Sequence, residues 1–318
     1  MLTAILSTLG GILPATAGTA KMFALPTVAA GMLGLRKQKW ESIHIPIAII
    51  TVSFIVHSVV HTTITSCAFG LGFAAFFVLG QSLRERVSYA LYIIGTTEAI
   101  WLLVDDILRP STWHGGALEV AHLSAFIITI AIALAPTERL RIALILVGAP
   151  SILLSGTEEG IALLVALMVA YVNRTTIIWL ASVMLVSFLI SLITGHFDAT
   201  HPNLIDLGER TSSIESVSNG RWHVIANSID WSLLTGSGWS WHVVASKTVH
   251  IVPLLIATQL GIAAAVSWLY LVIKCTKHNI GAMLVILTAS FVDHYLWTFL
   301  FIETPIILGS VWQSRPQR

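Results

Sequence analysis

The amino-acid sequence predicts an all-α protein that lies in a lipid bilayer and crosses it about eleven times. Three observations carry that expectation. Of the 318 residues 56% are hydrophobic and only 10% charged, whereas a soluble domain carries about 25% charged residues. The apolar residues gather in stretches of roughly 15 to 25, the length a helix needs to cross hydrocarbon, separated by short polar breaks. The Lys and Arg residues of five short breaks all fall on one face of that arrangement.

Taken in order, the predicted spans are 2–20, 22–35, 43–61, 64–80, 87–106, 118–135, 140–155, 159–172, 175–194, 249–273 and 281–302. The first reads as a retained span, because MLTAILSTLGGILPATAG has no basic residue ahead of its apolar stretch and more apolar helix follows. The second is short and contains Pro26. After Pro305, IILGSVW is too short to span and is expected to be a re-entrant or interfacial tail.

Sidedness follows from the breaks. Arg36, Lys37 and Lys39 share one, Arg84 and Arg86 another, then come Arg139 with Arg141, Arg174, and Lys274 with Lys277. The positive-inside rule assigns that face to the cytoplasm, so the protein is expected to be a multi-pass protein of the cell inner (cytoplasmic) membrane. The opposite face receives HTTITS, DDILRPSTWHGG, SGTEEG and one long segment. Residues 1–194 are thus N-terminal transmembrane helices, 195–248 a large extracytoplasmic loop, and 249–318 C-terminal transmembrane helices, all one membrane domain. A net charge of +1 argues against a nucleic-acid partner. Cys67 and Cys275 suggest neither a disulfide framework nor a paired metal motif.

Within the long loop, Arg210 and Arg221 are not explained by the positive-inside pattern. Ile214, Val217, Trp222, Ile225, Ile229 and Trp231 have a helix-like spacing that suggests an amphipathic segment lying on the membrane, with Arg221 beside its apolar edge. LLTGSGWSW follows, with two glycines for a tight turn and Trp239 and Trp241 suited to the headgroup level. Arginine binds phosphate through a planar two-pronged fork and stays charged, so this pair fits a lipid-linked phosphate or diphosphate. Contact with anionic headgroups, or pairing with Glu209 and Glu215, is the plainer alternative.

KTVHIVPLLIATQLGI, residues 247–262, places Lys247 and His250 at the outer mouth of an apolar run, with Gly261 lower down expected to let a neighbouring helix approach closely. An interfacial histidine is often structural. With Lys247 one turn earlier and both arginines on the same face, an imidazole there could instead take the proton from an acceptor hydroxyl.

These stretches resemble the O-antigen ligase and O-antigen polymerase superfamily of polytopic glycosyltransferases. GRWHVIANSIDWSLLTGSGWSW (220–241) is similar to the family's arginine, tryptophan-containing helix and G-x-G turn. HIVPLLIATQLGIAAA (250–265) has the family's spacing from histidine to glycine at His250 and Gly261, with Ile251 and Ala265 departing from the usual choices. FVDHYLWT (291–298) resembles the last-helix motif of some short members. The likeness covers about 150–300, and the N-terminal half only by its hydrophobic pattern.

The resemblance implies a GT-C-like membrane fold and transfer of a glycan from an undecaprenyl-diphosphate-linked donor to an acceptor glycan, lipid or protein, among membrane lipids. It implies no cofactor and no metal, because the diphosphate is already an activated leaving group. His250 would be the catalytic residue, and Arg221, Arg210, Lys247 and Trp239 would bind substrate. Where many members carry a Ser-Arg-Gly turn, this sequence has SGTEEG. The second phosphate-holding cation would then be Arg210 or Lys247, or Glu158 and Glu159 would orient a cation or sugar hydroxyls there.

The remaining polar residues have plainer readings. His57 and His61 stand one helical turn apart, zinc-ligand spacing without the glutamate of zincins, and a polar helix contact or headgroup contact accounts for them. Glu98 and Asp293 lie within spans, where ionisable groups usually face the protein interior. Asp293 with His294 reads as a structural pair or a proton relay, and Asp105, Asp106 and Arg109 as a salt-bridged cap or a sugar contact. A polytopic transporter or flippase for a lipid-linked or anionic solute is the alternative function, although no internal repeat is seen.

Overall fold

A computed structural model describes residues 41–61, 64–108, 117–154, 158–170, 178–179, 181–182, 186, 232–237, 251–292, 296–297, 300–301 and 303–313, some of them, including 158–159, by their backbone alone. The described residues are helical, joined by turns, with no strand among them. The all-α expectation therefore holds there.

In chain order the helices are α1 (His44–Val60), α2 (Ile64–Leu83), α3 (Glu85–Leu108), α4 (Ala117–Ala133), α5 (Glu138–Leu154), α6 (Glu158–Ala170), α7 (Ser232–Thr235), α8 (Val252–Leu260), α9 (Ile262–Cys275), α10 (Ile280–Val292) and α11 (Glu303–Gln313). By length and composition, 66–83 and 85–104 are long and apolar enough to cross a membrane, and five shorter helices are apolar. The chain forms two compact units. One comprises Met1–Val87, His223–Asn279 and Ser290–Arg318, the other Ser88–Trp222 and Ile280–Ala289.

In the first unit, α1 shows what apolar helices do here. Its buried face is His44, Ile47, Ile50, Phe54 and His57, a 3- or 4-residue spacing that marks one side of a helix. Its other side is also apolar: Ile45, Val52, Val56 and Val59 are between 51% and 74% exposed. Helix α2 packs against α1 and, more intimately, α11. There Gly80 lies against the backbone of Ile306, and Gly309 against that of Phe77, so any side chain on either glycine would strike the opposite main chain. The tail expected to be re-entrant or interfacial is thus an 11-residue helix with Glu303 through Val311 buried.

A cluster of rings fills the middle of this unit. Trp297 lies 5.3 Å from Phe301, 5.8 Å from Phe54, 5.8 Å from Trp268 and 5.9 Å from Phe73 between ring centroids. Two expected spans are corrected by this core. Residues 281–302 do not form one helix: α10 stops at Val292, and 296–297 and 300–301 are turns that carry Trp297 and Phe301 inward. The Leu300 carbonyl accepts from the Thr304 N–H at 3.0 Å, and the Thr304 hydroxyl lies 2.8 Å from it and 3.2 Å from the Leu296 carbonyl, within reach of an acceptor at the break. Residues 249–273 are also interrupted, at Gly261, as described below.

In the second unit, α4 packs against α5 and α6. Ala125, Ile128, Ile130, Ala131 and Ile132 are fully buried. Glu98 on α3 faces inward, as expected of an ionisable group in a span, and its carboxylate accepts from the Ser124 hydroxyl at 2.7 Å.

Candidate functional site

Five residues expected in the site, His250, Arg221, Arg210, Lys247 and Trp239, lie outside the described residues. Glu158 and Glu159 are the first two residues of α6, described by backbone alone. Asp293 and His294 also lie outside. What is described is the joint between the two motif stretches: the LTGS turn, and the helix that begins just after His250.

That helix is broken. Pro253 occupies the first turn of α8, where a missing N–H leaves no helix bond unmade. The helix then ends at Leu260, and Gly261 takes φ 91° and ψ 162°, a left-handed setting that glycine adopts without a steric penalty. Helix α9 restarts at Ile262. A break exposes the last carbonyls of one helix and the first N–H groups of the next, which must find partners.

The turn after α7 supplies donors for one of those carbonyls. Ser237 donates to the Thr258 carbonyl through both its backbone N–H and its hydroxyl, each at 2.8 Å. Gly236, itself at φ 82°, comes so close that a Cβ there would lie 2.5 Å from the Gln259 carbonyl oxygen. A Cβ on Gly261 would in turn lie 2.8 Å from the Leu234 carbonyl oxygen. Two glycines therefore let two main chains interlock, one from each motif. The neighbouring helix expected to approach at Gly261 is the short α7, whose Leu234 and Thr235 carbonyls lie against it.

Side chains from the rest of the unit hold the joint. The Gln259 side-chain carbonyl accepts from the Trp297 indole N–H at 3.0 Å. On the other side, His57 of α1 bonds the Thr235 carbonyl through Nε2 at 2.7 Å. A carbonyl only accepts, so Nε2 carries the proton, and in the neutral ring Nδ1 is left with a lone pair. That Nδ1 is buried and has no partner among the described residues. The His61 ring lies parallel to His57 at 5.5 Å. Of the readings open for His57, contact with another element is the one the geometry fits, and no group of three or more metal-ligating side chains is found among the described residues.

Neither His57 nor Gln259 stands out in the sequence as part of this joint. Their partners are 178 and 38 residues away, and no local pattern encodes such a pairing.

No protein-family model, no curated protein and no solved structure matches the chain.

Proposed function

We propose that the protein is an integral membrane glycosyltransferase that moves a glycan from an undecaprenyl-diphosphate donor to an acceptor hydroxyl at the outer face of the cytoplasmic membrane. The observation that supports this reading best is the joint itself. The G-x-G turn and the histidine-to-glycine helix, which carry the resemblance to O-antigen ligases and polymerases, interlock at Gly236 and Gly261 although they are separate in sequence. Helices with apolar residues on exposed sides, such as α1, support the membrane placement.

In this mechanism His250 takes the proton of the acceptor hydroxyl as its oxygen attacks the anomeric carbon. The bond from that carbon to the diphosphate breaks, and the leaving group departs with the bonding pair. Arg221, with Arg210 or Lys247, holds the charge that develops there, where fixed cations lower the barrier most. Trp239 lies against the lipid-linked donor, and Glu158 and Glu159 orient sugar hydroxyls.

The test is transfer of a lipid-linked glycan by membranes carrying each variant, with expression checked by blotting. His250→Ala is expected to lose about 10² to 10⁴ in rate, the usual worth of a general base. Transfer at the wild-type rate with normal abundance would remove His250 from the chemistry.

A second reading, transport of an anionic or lipid-linked solute, is favoured by one feature. Glu303 is 5% exposed, and neither of its carboxyl oxygens has a hydrogen-bond partner among the described residues. An ionisable group buried at membrane depth is a common mark of an ion or proton path.

A further inference from the structure

Helices α2 and α3 meet through a single residue, Arg84. Its N–H closes α2 on the Gly80 carbonyl at 3.0 Å, and its own carbonyl accepts from Val87 at 3.1 Å to open α3. The elbow places Arg84 at φ 47°, the only positive φ on a non-glycine residue described. Glycine is the usual occupant of such a helix-ending position, because a Cβ is crowded there. A long, charged side chain thus stands where the backbone favours none.

Arg84 lines a cavity of about 650 Å³ together with Gln81, Glu85, Arg86 and Gln313. Both arginines are exposed, so their guanidinium groups can turn toward a ligand in the cavity without leaving a buried partner. Two arginines against one glutamate leave the wall net positive. Gln313 is adjacent to Trp312, whose indole donates to Glu41 at 2.7 Å and whose ring lies 4.7 Å from that of His278. His278 follows Lys277 in the last of the basic breaks. Two forked donors, with a tryptophan next to the lining Gln313, match a phosphodiester headgroup better than a free ion, since tryptophan favours the headgroup layer and anionic lipids line the cytoplasmic leaflet.

We propose that this cavity binds the phosphodiester headgroup of an anionic phospholipid of the cytoplasmic leaflet, held by Arg84 and Arg86. The inference rests on the membrane placement proposed above, and is independent of the outer-face chemistry.

The experiment uses full-length protein in a nonionic detergent, with unfolding followed by tryptophan fluorescence. Phosphatidylglycerol is expected to raise the melting midpoint more than an equal amount of phosphatidylcholine, because a ligand that binds only the folded state stabilises it. Inorganic phosphate at the same concentration is expected to leave the midpoint unmoved. Arg84→Gly and Arg86→Gln should each lose most of the phosphatidylglycerol increment, while Arg139→Gln, in the other unit, keeps it. Without lipid, Arg84→Gly should melt no lower than wild type. An increment that survives both substitutions, that Arg139→Gln lowers equally, or that inorganic phosphate reproduces would overturn the assignment. Should Arg84→Gly fail to fold, Arg86→Gln decides alone. Loss of the catalytic reading through an active His250→Ala would leave all these midpoints unchanged.

Discussion

His57 and Thr235 are 178 residues apart in the chain, yet a 2.7 Å hydrogen bond from the imidazole Nε2 to the carbonyl joins α1 to the turn that seats on the Gly261 break. The donor is a side chain on the 17-residue α1, and the acceptor belongs to a four-residue helix that packs against α8 and α9.

Glutamine separates the two nitrogens of His57. Its amide N–H reaches about as far as Nε2, so His57→Gln can keep the bond to Thr235 while losing the Nδ1 lone pair. His57→Ala should lower stability by about 1–3 kcal/mol through the lost bond and the space it leaves. His57→Gln should recover most of that in thermal unfolding of the detergent-solubilised protein. Equal destabilisation by both would show that ring packing against His61, rather than the bond, is what matters.

Glycines at the backbone contacts should be irreplaceable, whereas another should not. Gly80→Ala, Gly309→Ala and Gly261→Ala each push a methyl into opposing main chain and are expected to cost about 1–3 kcal/mol or more. Gly72 has only the far end of the Phe76 ring at 3.5 Å, so Gly72→Ala should be neutral or stabilising by up to about 1 kcal/mol. Melting midpoints of the four variants check the ordering, and a Gly72→Ala as damaging as the others would contradict it.

Glu303 distinguishes the two functional readings. A buried carboxyl without a hydrogen-bond partner carries an uncompensated desolvation cost, which an apolar side chain of similar volume removes. For a transferase, Glu303→Leu should keep glycan transfer and melt no lower than wild type. For a transporter, it should abolish cation- or proton-dependent uptake in proteoliposomes. Measuring both in one preparation makes the comparison direct.

Arg221 is expected to need its planar fork. Arg221→Lys keeps the charge and loses the paired N–H donors, so transfer should fall well below wild type. A fully active lysine variant would point to general headgroup contact.

Orientation can be read by cysteine labelling in a background lacking Cys67. A membrane-impermeant maleimide should react with cysteine at Ser213 in intact spheroplasts, and with cysteine at Ser82 only after permeabilisation. Ser82 suits the purpose because it is exposed at the end of α2. The reverse pattern would invert the proposed sidedness.

Much of the helical layout is legible in the sequence, because it depends on local composition. The expected spans 43–61, 64–80, 87–106, 118–135, 140–155 and 159–172 each overlap a single helix, α1 to α6 in order, with boundaries differing by a few residues. An apolar run has few structural choices when its backbone must bond to itself. The same uniformity hides interruptions. Nothing in IATQLGIAAA distinguishes a helix that passes through Gly261 from one that stops there, and the choice depends on whether a second backbone arrives to satisfy the freed groups.

The sequence by itself determined the helical class, the apolar spacing and the residue types that could do chemistry at His250, Arg221 and their neighbours. Tertiary structure alone decided the rest that is described: the break at Gly261, the burial of α11, and the bonds from His57 to Thr235 and from Trp297 to Gln259. The physical reason is range. Helix formation is settled within about four residues by backbone hydrogen bonds and side-chain size. A broken helix or a buried polar atom is stable only when a distant part of the chain supplies its partner, and that partner exists only once the chain has packed.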